Sequence, residues 1–147
     1  MDQLPDLLPE LRDWNGGEGI APLDYVYSIA TSDSALAYSE LFWPRFVEFE
    51  GYILRDGFNL ENLRSWEKQE RRPRCDIEGA INYLGIGDLF TNEEDTELLY
   101  RRVVRLGEVL SQTYTAKLRQ DFPDRHFDVS LLVDEHEYAL TFFQSDG

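Results

Sequence analysis

Two short runs of carboxylates are the residues best placed to do chemistry in this chain. One is Glu93, Glu94, Asp95 and Glu97 in TNEEDTE, and the other is Asp134, Glu135 and Glu137 around His136 in DEHE. Carboxylates held at density on a rigid scaffold steer and orient a cationic partner, and suitably spaced they stand in for the phosphates of a nucleic acid. The bland alternative is solvated acid, at a helix N-terminus favoured by the macrodipole in the first run and at a hairpin tip in the second. These seven acids form the expected partner-binding set.

Other chemistries find little support in the sequence. Zinc takes three or four Cys, His or carboxylate ligands at defined spacings, and Cys75, His126 and His136 stand far apart. The group Asp134, Glu135, His136, Glu137 reads as a solvated turn rather than a divalent-ion site, and TNEEDTE lacks the glycine and twelfth-position ligand of a calcium loop. Neither a metal nor a cofactor is expected. Cys75 follows the cationic RRPR of residues 71–74, which could depress its thiol pKa, but no Cys-His pattern or GxSxG accompanies it. NGGEGI, residues 15–20, has neither the lysine and hydroxyl of a phosphate loop nor a strand before it, so it reads as a turn. Glu48 and Glu50 alternate onto one face of a predicted strand and could raise one another's pKa, although solvent-facing glutamates are ordinary there. The sequence therefore predicts no catalytic residue and no enzyme.

Net charge sharpens the choice. The chain has 147 residues with 29 Asp and Glu against 14 Lys and Arg, a formal charge of −15, yet 14% of its residues are aromatic. A disordered acidic tail lacks the large apolar side chains needed to offset its ordering entropy, so the field belongs to the surface of a folded object. Residues 1–50 carry −8, residues 51–105 carry −2 and residues 106–147 carry −5. Direct binding of DNA or RNA is disfavoured, because phosphate contacts need clustered cations. The clusters present are RRPR and Arg101, Arg102, Arg105, and the second is explained by local ion pairs with Glu97 and Glu108.

The elements that must position these groups follow from periodicity. Leu4, Leu7, Leu8 and Leu11 recur at helical spacing within 4–14, with Pro9 offsetting the helix. Short helices are predicted over 22–30 and, capped by Ser32 or Asp33, up to Leu41 before Pro44. RFVEFEGYIL, residues 45–54, reads as a strand bulged at Gly51. Asn59 caps a helix over 60–70, and Asp76 caps one over 77–84 that Gly85 terminates. Leu99, Val103, Leu106, Leu110, Tyr114 and Leu118 form the stripe of a long helix over 96–119. FDVSLLV (127–133) and YALTFFQ (138–144) form a hairpin.

The expected architecture is a single α+β domain spanning 1–147, about five helices packed with a small antiparallel sheet of strands near 45–54, 127–133 and 138–144; an all-α fold with a peripheral hairpin is the runner-up. One cysteine, no signal-like N-terminus and no run of about 18 apolar residues point to a cytoplasmic protein without a membrane segment. In size, acidity and lack of catalytic equipment the chain resembles bacterial immunity proteins as a broad class. The expectation is an inhibitor or immunity-type protein that neutralises a basic toxin or nuclease, with nucleic-acid mimicry as a neighbouring form of the same idea. A non-catalytic subunit or adaptor is the alternative, and an enzyme with a nonstandard carboxylate site comes third. Oligomeric state is left open.

Overall fold

The computed structural model describes residues 4–69, 71–135 and 137–145. Among them are six α-helices and two small antiparallel sheets, an α+β arrangement. Helix α1 (Leu4–Leu7) breaks at Pro9 into a 3₁₀ turn, Pro9–Arg12, and the pair buries Leu7 and Leu11. Arg102 holds this segment down, donating from Nε to the Leu7 carbonyl at 2.7 Å and pairing with Glu10 at 3.1 Å. Arg102 thus serves a distant segment rather than the nearby glutamates expected from sequence. Helix α2 (Pro22–Ile29) follows a glycine turn in which Gly16, Gly17 and Gly19 all have positive φ. Helix α3 (Ser32–Phe42) is capped by Thr31, whose hydroxyl accepts from the Ser34 N–H.

The stretch 45–54 is not one bulged strand. It folds back on itself as β1 (Phe46–Phe49) and β2 (Tyr52–Arg55), with Phe49 opposite Tyr52 across a two-residue turn. Glu50 and Gly51 both take positive φ, 50° and 87°, the conformation that two-residue hairpins require. Asn, Asp or Gly usually fills the first of these places, so a Glu there concealed the turn. Two arginines brace it: Arg64 holds the Glu50 carboxylate through both terminal nitrogens at 2.7 and 2.8 Å, and Arg74 donates to the Glu50 carbonyl at 2.6 Å. Glu50 therefore lies in the turn beyond β1, while Glu48, in the strand, pairs with Arg125 at 2.8 Å. The expected one-face carboxylate pair does not form.

Helix α4 (Leu60–Glu67) starts at the predicted cap, with Asn59 Oδ1 accepting from the Asn62 N–H at 2.8 Å. Helix α5 (Arg74–Ile81) begins earlier than expected, at Pro73, which fixes φ for a helix start without a side-chain cap. Asp76 lies in its first turn, Asn82 ends it, and Gly85 belongs to the two-residue strand β3 (Leu84–Gly85). A 3₁₀ turn, Gly87–Phe90, leads to α6 (Glu97–Asp121), capped by Thr96. Strands β4 (Phe127–Val133) and β5 (Tyr138–Gln144) form the expected hairpin, and β5 is central in the order β3-β5-β4.

The main core joins Phe46, Ile53, Ile86, Leu140 and Phe142 to α6 residues Val103, Leu110, Tyr114 and Leu118. Phe46, Tyr114 and Phe142 meet edge to face with centroids 5.0–6.0 Å apart. A second cluster, Tyr52, Leu54, Leu63 and Ile77, fills the space against α4 and α5. Strand β2 feeds both, because alternate side chains leave a strand on opposite sides. The stripe of α6 departs from expectation in that Leu99 and Leu106 are only partly buried, while Gly107 is buried. The Tyr138 ring fills the space beside Gly107 and its hydroxyl donates to the Val104 carbonyl at 3.0 Å.

Sheet β1-β2 and the C-terminal sheet are neighbours without shared ladder bonds, contrary to the expected side-by-side pairing. Side chains of α5 bridge them instead. Glu78, 2% exposed, accepts from the Ile53 N–H at 2.9 Å, from the Gln144 side chain at 2.7 Å and from the Gln144 N–H. Asn82, fully buried, donates to the Ile53 carbonyl at 2.9 Å and the Phe142 carbonyl at 3.2 Å, and accepts from the Arg55 N–H.

Candidate functional site: an acidic aromatic groove

The two carboxylate runs, well separated in sequence, meet around one open groove of about 490 Å³. One wall is the chain from Gly87 to the first turns of α6 and the other is the β4–β5 turn. Six carboxyl side chains line it: Asp88, Glu93 and Asp95 on the first wall and Asp134, Glu135 and Glu137 on the second. Phe90, Leu99, Tyr100, Val103 and Tyr138 supply its apolar floor, and no Lys or Arg is among the described lining residues. Of the seven acids singled out from sequence, five line the groove. Glu94 and Glu97 are exposed and do not line it. His136 lies outside the described residues.

Local structure explains why the walls stand where they do. Thr96 caps α6 by accepting from the Leu99 N–H at 3.1 Å, which starts the helix just after Asp95 and places Leu99, Tyr100 and Val103 on the groove side. The opposite turn is closed by the Asp134 N–H donating to the Glu137 carbonyl at 2.9 Å. Tyr83 donates its hydroxyl to the Glu137 carboxylate. The Ile86 N–H donates to the Tyr138 carbonyl at 2.9 Å, tying the 3₁₀ turn to β5. Tyr100 and Tyr138 meet edge to face at 6.4 Å.

The tyrosines report the field. The hydrogen bond to Glu137, aided by burial and by the negative charges of Asp88 and Asp134, pushes the Tyr83 phenol up to about 12. Burial, then the charge of Glu108, raises Tyr138 as well. No group of three or more His, Cys, Asp or Glu among the described residues is close enough to hold a metal ion. The groove acids are dispersed along two walls, a spacing that fits several ammonium or guanidinium groups on an extended surface. Aromatic faces add cation–π attraction for the same groups.

A second concavity, about 550 Å³, contains Cys75 with Arg74, Glu78, Asp128 and Gln144. Its carboxylate Glu78 is already committed to the β2 and β5 backbone, and Arg74 lies over the Tyr52 ring at 3.9 Å. Both are structural parts. Asp88, Tyr83, Tyr100 and Tyr138 carry no signal of a site in the sequence; Asp88 is a lone acid there, Tyr83 and Tyr138 join the acids through the β3-β5-β4 order, and Tyr100 does so from the first turn of α6.

Comparison of the chain with family models, curated proteins and solved structures finds no match. No helix of the described residues is long and apolar enough to cross a membrane.

Proposed function

We propose that this chain is a non-catalytic, cytoplasmic binding protein of inhibitor or immunity type, whose groove receives Lys and Arg side chains of a basic protein partner such as a toxin or nuclease. The observation that carries this reading is the meeting of Glu93 and Asp95 with Asp134, Glu135 and Glu137 around a tyrosine-lined groove with no Lys or Arg among its described lining residues. Low-dielectric walls of one charge sign focus the field, raise encounter rates and select against acidic partners. Where the partner is a nuclease, the dispersed carboxylates occupy its phosphate-binding cleft as mimics of the substrate. Paired capture tests this: wild type and a variant with Glu93→Gln, Asp95→Asn, Glu135→Gln and Glu137→Gln are immobilised and exposed to extract of the native host. A basic protein retained by wild type, lost by the variant and inhibited on binding supports the reading; identical retention by both proteins refutes it.

A further inference from the structure

Helix α2 is built inside out. At about 100° per residue, Leu23, Val26, Tyr27 and Ile29 fall within an arc of about 160°, while Asp24, Tyr25 and Ser28 occupy the rest. An amphipathic helix turns such a stripe to the core, yet α2 buries no residue at all. Leu23 is 63% exposed and Tyr27 81%, whereas Tyr25, from the opposite arc, packs edge to face on Trp14 at 5.6 Å. The helix thus rests on its less apolar side and presents its apolar stripe to solvent. An eight-residue helix has little stability of its own, so this one gains most from a surface that covers the stripe.

Charge selects the occupant. From Asp13 to Pro44 the chain has five acids, Asp13, Glu18, Asp24, Asp33 and Glu40, and no Lys, Arg or His. A second copy docked on this face would bring together two segments that each carry five acids and no base. An anionic membrane surface would repel it too, and interfacial helices normally carry Lys and Arg on their polar side. An apolar groove rimmed by Lys and Arg complements both the stripe and the net negative charge of the segment that carries it.

We infer that the Leu23–Val26–Tyr27 stripe of α2 is a docking element that inserts into a basic-rimmed apolar groove on a partner protein. This rests on the proposed function for the partner's basic character, and it locates apolar anchors outside the acidic groove. Buried aromatic and aliphatic anchors govern dissociation, while peripheral charge governs encounter.

Site-specific photocrosslinking in the native host tests the inference, with p-benzoylphenylalanine at position 27 in one full-length protein and at position 100, in the acidic groove, in another. The expected result is a position-27 adduct to a basic protein, through a peptide of apolar residues flanked by Lys or Arg. With that partner purified, Leu23→Ser plus Val26→Ser should weaken the Kd by about tenfold or more with unchanged helical circular dichroism. An adduct to a second copy, to lipid or to an acidic surface overturns the inference, as does no adduct or a Kd within about twofold of wild type. Crosslinking at position 27 but not at position 100 would reject the groove and keep the α2 site; the reverse would reject α2 and keep the groove.

Discussion

Glu78 on α5 and Asn82, the residue that caps its C-terminus one turn later, bind the backbone of both β2 and β5 and so substitute for the ladder bonds that the two sheets do not share. Asn82 alone satisfies the Ile53 and Phe142 carbonyls and the Arg55 N–H. Backbone groups buried without partners are costly, and Asn82→Ala would leave three of them. We expect a loss of about 2–4 kcal/mol, read from urea unfolding. A loss below about 0.5 kcal/mol, the size of an ordinary surface effect, would show that the sheets hold together without this bridge.

Gly107 and Leu106 exchange the roles that hydrophobic spacing predicts. A Cβ at Gly107 would stand 2.5 Å from Tyr138 Cε1 and 2.8 Å from its hydroxyl, and that ring is anchored to Val104. Gly107→Ala should therefore destabilise by about 1–3 kcal/mol, despite the better helix propensity of alanine. Leu106→Ala, at a partly exposed place, should cost less than the roughly 2–5 kcal/mol of a buried leucine. Denaturation of both variants checks the order; a harmless Gly107→Ala would contradict the packing.

Most elements were legible because their signals are local. Asn59 and Thr96 mark helix starts, Pro9 breaks the N-terminal turn, and alternation in FDVSLLV and YALTFFQ marks the hairpin. Misplaced features depend on partners distant in sequence. Glu50 occupies an unfavourable turn position that Arg64 and Arg74 brace. Leu106 fits the heptad as well as Gly107 does until the Tyr138 ring is placed. Both acidic runs were visible as charge, but nothing in their spacing tells that β5 carries one of them to the other.

Tyr83 and Glu137 give the groove a spectroscopic reporter. The Tyr83 phenol ordinarily titrates at 10.0 and here is pushed up to about 12 by the bond to Glu137. Because the folded state holds this proton more tightly, the stabilisation is complete below 10.0, declines above it and is lost as pH rises through about 12. Absorbance titration near 295 nm should show a late-titrating tyrosine that disappears in Tyr83→Phe. Replacing Glu137 by Gln should move its midpoint back toward 10.0; an unmoved midpoint would break the link to Glu137.

Arg64 holds the Glu50 and Glu67 carboxyls below the ordinary glutamate value of 4.5, chiefly through its hydrogen bonds to them. The folded state prefers both ionised, so their contribution is present above 4.5 and is lost as pH falls through their lowered values. Arg64→Met should flatten the acid side of the stability profile below 4.5. Thermal melts of both proteins across that range provide the comparison, and identical acid limbs would contradict the assignment.

The groove's part in recognition is tested most directly by the association rate of the captured partner, measured against ionic strength by stopped flow. Wild type should associate markedly more slowly in about 0.15 M salt than in about 0.01 M, as the Debye length falls from roughly 30 to 8 Å. The variant with Glu93, Asp95, Glu135 and Glu137 neutralised should be slower at low salt and lose most of that dependence, with its circular dichroism spectrum unchanged. Equal rates and equal salt slopes for the two proteins would contradict the account and leave those carboxylates as solvated surface.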